Sequence, residues 1–279
     1  MKGKIAFQGK LGAYSHTACL TAFPALTPLP CPTFADAFKA VEDGRAQYAM
    51  IPIDNSIAGR VADIHHLLPQ SALSIVAEHF IPVHHCLLGT AGASLKTVKT
   101  VYSHLHALPQ CRKFITKNKL KAVAFEDTAG SAYRVSQMKD VTSGAIASEL
   151  SAKLYGLKII KKNIEDVAGN TTRFIVLARE TSVPKKQAGK TYMTSILFKV
   201  RNIPAALYKA LGVFATNGVN IMKLESYLEG SGFNSALFYC ECVGHPDDRA
   251  LTLALEELDY FAEHVRMLGV YPLHAFRSK

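Results

Sequence analysis

Glu180–Lys190, ETSVPKKQAGK, is where the pattern of this 279-residue chain changes. The stretch is polar, carries Pro184 and Gly189, and interrupts apolar periodicity on both sides, which is the composition of a linker. After it the pattern predicts a strand (Met193–Val200), a helix (Ile203–Ala215), two strands (Asn220–Leu228 and Phe233–Val243), a helix (Pro246–Phe261) and a strand (Val265–Tyr271). Pro204 falls in the first turn of its helix, where the missing N–H costs nothing. Tyr227–Gly232, with two glycines, reads as a hairpin turn. The order β-α-β-β-α-β is the ferredoxin-like arrangement.

Before the linker, short apolar runs alternate with helical patterns. Strands are expected at Ile5–Phe7, Tyr48–Ile53, Ser74–Glu78, Ile81–Gly89, Thr100–Tyr102, Gly144–Ala147 and Thr172–Ala178. Helices are expected from Ser15 to Phe23, after a Thr33 cap, from Ser56 through Leu68, and over Leu105–Ile115, Ala129–Met138 and Ser148–Tyr155. This alternation predicts a mostly parallel α/β sheet.

Composition narrows the function classes. No run of about 20 apolar residues exists, so no membrane span is expected. Met1–Phe7 lacks the pattern of a secretory signal, and a cytoplasmic place is the default expectation. The six cysteines never take the spacing of a zinc or redox motif and read as small core hydrophobes, with no metal site expected from them. The net charge of +10 suits small anions. Its lysines are scattered, with no basic stripe interleaved with aromatics, which argues against nucleic acid.

Four polar clusters sit at strand-to-helix junctions or strand entries. Gly9–Ser15, GKLGAYS, places two glycines before a helix start, which suits an anion or is an ordinary capped loop. In Pro52–Gly59, PIDNSIAG, Asn55 and Ser56 project beyond a strand end, where open α/β sheets bind ligands. Asp54 there is either an acid–base group or a helix-cap acid. In Tyr102–Arg112, YSHLHALPQCR, Ser103 and His104 close a strand, and Gln110 and Arg112 fall on the next helix. His104 either titrates near neutrality or is a satisfied polar group. In Asn170–Phe174, NTTRF, Arg173 offers a fork matched to a carboxylate or forms an internal ion pair.

Taken in order, these clusters resemble the prephenate dehydratase family. Gly9, Gly12, Tyr14 and Ser15 match its G-x-x-G-x-(Y/F)-S segment. Pro52–Gly59 matches P-I-E-N-S-x-x-G except that Asp54 replaces glutamate. Ser103, His104, Ala107, Leu108, Gln110 and Cys111 match S-H-x-x-A-L-x-Q-C, and Thr172, Arg173 and Phe174 match T-R-F. Ala145–Leu157 is also similar to the family, and the residues after the linker resemble an ACT domain.

The resemblance implies an α/β fold with a two-lobed, periplasmic-binding-protein-like catalytic domain over residues 1–180 and a ferredoxin-like ACT regulatory domain over 191–279. One lobe would hold about 4–81 plus 169–179, and the other about 82–168. It implies a carbon–oxygen lyase that converts prephenate to phenylpyruvate, water and carbon dioxide on the route to phenylalanine. Thr172, Arg173, Asn55 and Ser56 would carry the chemistry, Thr172 as proton donor and Arg173 as carboxylate holder. Ser15, Tyr14, Ser103, His104, Gln110, Thr171 and Phe174 would bind substrate. L-Phenylalanine would bind a site containing Ala205, Ala206, Leu207, Asn217, Gly218, Val219, Asn220, Ile221, Glu225 and Ser226, in a homodimer or homotetramer. Here the family's G-A-L segment reads Ala205-Ala206-Leu207 and its E-S-R-P segment reads Glu225-Ser226-Tyr227-Leu228, so the pocket is altered. The alternatives are an arogenate or dual-specificity cyclohexadienyl dehydratase, a non-catalytic two-lobed binding protein and, for the last part alone, an amino-acid sensor.

Overall fold

The computed structural model describes residues 3–179, 183–228 and 236–278. By packing they form two units, one of residues up to Ile64 with His79–Phe174, the other of His65–Glu78 with residues from Ile175 on. Both are mixed α/β. No helix among the described residues is long and apolar enough to cross a membrane.

The chain opens with β1 (Lys4–Gln8), α1 (Tyr14–Ala22), β2 (Thr27–Cys31), α2 (Phe34–Glu42) and β3 (Tyr48–Asn55). The core strands carry Ile5, Ala6, Phe7, Ala49, Met50, Ile51 and Ile53, all fully buried. Thr33 caps α2 in a reciprocal bond pair with Asp36, and Ala37, Phe38, Ala40 and Val41 form its buried stripe. The β2 segment, TPLPC, was not expected to be a strand. It lies at the sheet edge, parallel to β1, and Thr27 N–H and Cys31 C=O face β1. In a parallel ladder alternate residues face one side, so Pro28 and Pro30 turn their missing donors outward.

After β3 come β4 (Gly59–Arg60), α3 (Ala62–Leu67) and β5 (Ser74–Pro82). The helix expected from Ser56 through Leu68 forms over Ala62–Leu67, and its first part is replaced by a tight hairpin in which β4 pairs with β3, Asn55 opposite Gly59. The Asn55 Oδ1 accepts from the Ile57 and Ala58 amides at 3.0 and 2.8 Å, and Gly59 takes φ +81°. That side-chain turn competes with helix at this point. Asp54 is therefore no helix cap.

A second sheet of the same unit contains β6 (Cys86–Gly89), β7 (Thr100–His104), β8 (Lys121–Phe125), β9 (Ser143–Ala147) and β10 (Lys158–Lys161), in the order β10-β6-β9-β7-β8. β9, β7 and β8 are parallel, whereas β10 and β9 flank β6 antiparallel, so the sheet is mixed rather than mostly parallel. Its helices are α4 (Arg112–Lys117), α5 (Thr128–Met138) and α6 (Glu149–Tyr155). The helix expected over Leu105–Ile115 is only a turn, a 3-10 turn at Pro109–Cys111 and then α4, because Pro109 interrupts the pattern. β8 and β10 are short and half exposed, and their pattern too weak to read as strands. β11 (Thr171–Ala178) returns to the first sheet, whose order is β2-β1-β3-β11-β5.

The second unit contains β12 (Tyr192–Val200), α7 (Ala206–Thr216), β13 (Ile221–Leu228), β14 (Ala236–Val243), α8 (Arg249–Phe261) and β15 (Ala262–Pro272), with sheet order β13-β14-β12-β15. Ile196, Phe198, Phe238, Cys240 and Cys242 form the core with Ala210, Phe214, Leu251 and Leu258 of the helices. The first helix starts at Ala206, not Ile203, because Ala205 takes a left-handed φ of +61°, which places Pro204 before the helix. α8 likewise starts at Arg249. Most of the expected Tyr227–Gly232 hairpin lies outside the described residues.

Residues 65–78 pack within this second unit. Arg266 donates to the Pro69 and Ser71 carbonyls, and Arg277 bridges Glu78 at 2.9 Å and Glu241 at 3.5 Å. Gly269 passes so close to Ile75 that a Cβ would lie 2.0 Å from its carbonyl oxygen. Gly269→Val is expected to destabilise the protein by at least about 1–3 kcal/mol, the usual cost of overpacking. Thermal denaturation reads this directly, and an unchanged midpoint would remove the Ile75 contact from the packing.

Candidate active site

At the end of β1, Gly9 and Gly12 take φ of +109° and +97°, turning the chain into α1. A Cβ on Gly12 would lie 2.7 Å from Ser151 Oγ. The Gly12 carbonyl accepts from the Ser148 and Ser151 hydroxyls at the start of α6, at 2.6 and 3.0 Å. The Gly12 amide donates to His16 Nδ1 at 2.9 Å, and the His16 ring stacks on Phe7. Ala13 offers α1 no capping side chain, so the first-turn amides keep their partial positive charge.

This loop borders a cavity of about 280 Å³. Tyr14, Ser15, Asn55, His104, Gln110, Thr172 and Phe174 line it, as the sequence suggested. Gln8, His85, His106, Glu126, Asp127 and Asn170 line it as well. His85 went unread because it sits in an apolar stretch between β5 and β6, and only its proximity to Pro82, where the chain passes between sheets, hinted at a role.

Four other candidates are not among the lining residues. Ser103 is fully buried and donates to the Ile146 carbonyl at 2.6 Å, tying β7 to β9. Ser56 accepts from the Thr171 amide at 2.9 Å and donates to the Gly169 carbonyl, which Thr171 Oγ1 also meets. Arg173 is buried with its Nη1 3.5 Å from Asp54 Oδ2. Successive strand residues face opposite sides, so on β11 Thr172 and Phe174 reach the cavity while Arg173 does not. The internal ion pair is the reading that this geometry favours.

A hydrogen-bond chain runs along the cavity wall, and its direction follows from the backbone. Because the Ile57 and Ala58 amides can only donate, the Asn55 atom facing them is the oxygen. The Asn55 amide nitrogen then donates to Thr172 Oγ1 at 2.9 Å and Asn170 Oδ1 at 2.7 Å. Asn170 Nδ2 donates to Gln110 Oε1 at 2.7 Å, and His85 Nε2 meets that same oxygen at 3.0 Å. Tyr14 Oη lies 3.2 Å from His85 Nδ1 and donates to the His84 carbonyl at 2.7 Å. Glu165 accepts from the His85 amide and pairs with His84, both at 2.9 Å. With its oxygen engaged by Asn55, Thr172 keeps its own proton for the cavity.

Burial lowers the pKa of His85 below the ordinary histidine value, against the hydrogen bond to Gln110 and the charge of Glu165. Burial, then His106, lowers that of His104. Tyr14 is raised well above the ordinary phenol value, first by burial. Glu165 is lowered: burial pushes it up, but the hydrogen bonds from His84 and from the backbone outweigh this. Among the described residues no lysine or arginine lines the cavity, whereas Glu126 and Asp127 do.

In the second unit Ala205, Ala206 and Leu207 line a cavity of about 390 Å³ with Arg201, Tyr208 and Glu263. Asn217, Gly218, Val219, Asn220, Ile221, Glu225 and Ser226 are not among its lining residues. Val219 and Ile221 pack on the core, and Glu225 pairs with Lys223 at 3.1 Å.

Residues 5–182 match the family model described as prephenate dehydratase. The chain belongs to the prephenate dehydratase family. It is 47% identical over 275 residues, 99% of this chain and 98% of the relative, to a bifunctional N-acyl-homoserine lactone acylase/prephenate dehydratase of Komagataeibacter europaeus. It is 40% identical, over 99% of this chain and 74% of the relative, to an arogenate dehydratase/prephenate dehydratase of Arabidopsis thaliana. The structure of prephenate dehydratase from Arthrobacter aurescens in complex with L-Phe superposes with a TM-score of 0.88 at 28% identity, covering 96% of this chain and 89% of that one.

For this prephenate dehydratase-family site, Arg173→Met is expected to leave Asp54 without its buried cation and cost about 1–3 kcal/mol, the half-exposed carboxylate tempering a full buried-pair loss. The melting temperature should fall. An unchanged melting temperature with a raised KM would return Arg173 to the role of carboxylate holder.

Proposed function

We propose that the cavity catalyses the decarboxylating dehydration of prephenate to phenylpyruvate, and that Thr172 is the donor to the departing hydroxyl. The observation that carries this is the Asn55 amide on Thr172 Oγ1, which leaves the threonine proton for a ligand. In the reaction the bond from the ring to the carboxylate breaks, its electrons aromatise the ring, and the C–O bond on the opposite carbon breaks. Prephenate dianion and one proton give phenylpyruvate, carbon dioxide and water. A threonine hydroxyl is too weak an acid to supply that proton outright. Its hydrogen bond strengthens as negative charge grows on the leaving oxygen, which lowers the barrier, and solvent supplies the net proton.

The lining also suits the step that loses carbon dioxide. A lysine or arginine on the departing carboxylate would stabilise it more in the ground state than in the transition state, where its charge drains into the ring. Neutral donors hold the substrate without that penalty. Ser15, nine-tenths buried at the uncapped start of α1, and the Gln110 amide would hold a carboxylate, a role supported by their place in the cavity lining. Residues 1–180 would form the catalytic domain, with one lobe on each sheet, although 65–78 pack with the second unit. Arogenate, which has an amine in place of the keto group, is the alternative substrate, favoured by the Arabidopsis relative.

The ferredoxin-like element order of residues 191–279 supports an ACT domain that binds L-phenylalanine and inhibits the enzyme as a dimer or tetramer. The Arthrobacter complex supports the ligand. Ala205, holding a left-handed backbone where the family has glycine, narrows the space at the helix start. Calorimetry with L-phenylalanine tests this, and neither heat nor inhibition at millimolar ligand would leave only an assembly role. A second reading, hydrolysis of N-acyl-homoserine lactones, is supported by the Komagataeibacter relative and by an apolar groove of about 720 Å³ that shares Gln8, Gly9, Glu126 and Asp127 with the cavity. Release of homoserine lactone from an N-acyl substrate is its assay.

Thr172→Val is expected to lower kcat on prephenate about a hundredfold or more with the fold intact, the usual effect of losing one oriented donor. Phenylpyruvate absorbance follows it, and wild-type turnover would remove Thr172 from the chemistry.

A further inference from the structure

The cavity wall has a consistent polarity. Asn55 Oδ1 is engaged by two backbone amides, Asn170 Oδ1 by Asn55, and Gln110 Oε1 by Asn170 and His85. Thr172 Oγ1 is likewise taken up by Asn55. The acceptors face the wall, and the Thr172 hydroxyl and Gln110 amide hydrogens remain for the cavity. Glu126 and Asp127 also line the cavity, but on the wall from Thr172 to Gln110 the free groups are donors, which suits an anion.

One end of this chain is fixed by covalent necessity, since a backbone N–H cannot reverse. At the other end His85 meets the Gln110 oxygen beside Asn170. Gln110 Oε1 can only accept, so His85 Nε2 must carry a proton. In the neutral ring that leaves Nδ1 as an acceptor facing Tyr14 Oη, which can turn to it from the His84 carbonyl. In the protonated ring Nδ1 donates to the tyrosine oxygen instead. Nε2 carries its proton in both states. Glu165 fixes the segment by accepting from the His85 amide, and the ring is buried. Without the His85 N–H, the Gln110 amide loses one of the two donors on its oxygen and is freer to turn over, presenting its oxygen to the substrate.

We propose that His85 is a positioning residue that, as the second donor beside Asn170, holds the Gln110 amide in its orientation, so that Gln110 keeps offering N–H and not C=O to the anionic substrate. This rests on the reading of the cavity as a prephenate site. His85 would act through Gln110.

The test compares His85→Gln, whose amide nitrogen falls where Nε2 lies, with His85→Asn, whose nitrogen falls near Nδ1 and leaves Gln110 without this donor. His85→Gln should keep kcat/KM within a few fold of wild type, and His85→Asn should lose about ten- to a hundredfold, as expected for a misplaced hydrogen bond to a charged ligand. In a Gln110→Leu background the His85→Asn loss should largely vanish. Nitrogen NMR of histidine-labelled wild-type protein should find a proton on Nε2 of His85. A proton on Nδ1 alone, an undiminished kcat/KM in His85→Asn, or equal losses with and without Gln110 would overturn the proposal. The two readings fail separately. Full turnover in Thr172→Val removes the chemistry assigned to Thr172, whereas the NMR spectrum reads the His85 proton without any substrate.

Discussion

Two backbone amides, those of Ile57 and Ala58, orient every polar side chain on the wall that runs from Thr172 to His85. Because they can only donate, the Asn55 oxygen must face them, and the polarity of Asn170, Gln110 and Thr172 follows in turn. The hairpin that presents those amides depends on the reversal at Gly59 and on the pairing of Asn55 with Gly59. A buried hydrogen-bond network of this kind costs little only when each member is satisfied, and here the donors left over are on residues that line the cavity.

Strand geometry supplies the second constraint. On β11, Thr172 and Phe174 share a side and Arg173 takes the other, so one short triplet both builds the cavity and ties Asp54 into the first sheet. The Gly9–Ser15 loop, which brings the start of α1 to the same cavity, is itself held by the Ser148 and Ser151 hydroxyls on Gly12. The cavity is thus built from both sheets of one unit, and amides, hydroxyls and a helix start line it beside the acidic side chains of Glu126 and Asp127.

Residues 65–78, in which Leu68, Leu73 and Ile75 are buried, are also tied into the second unit through carbonyls and carboxylates. Arg266 and Arg277 satisfy groups that burial would otherwise leave costly, and the bare Gly269 lets the backbones approach. β5 is a single strand whose first half belongs to this packing and whose second half runs on toward His85. The linker therefore marks a change of sequence pattern but not the limit of packing.

The sequence by itself determined the α/β class, most long helices and buried strands, the strand and helix order after the linker, and seven of the residues around the cavity. Those features are local: period, caps, turn residues and short ordered motifs carry them. It missed β2, β8 and β10, because prolines and exposed alternation erase the strand signal, and it read helix at Ser56 because one asparagine side chain outweighs a helical pattern. Only the tertiary structure brought Arg173 to Asp54 and Ser103 to the Ile146 carbonyl, outside the cavity lining, and set His85 and Asn170 in the wall. Those assignments depend on which face of a strand meets which neighbour, and on hydrogen bonds between residues 25 to 117 positions apart, a distance over which no local pattern carries information.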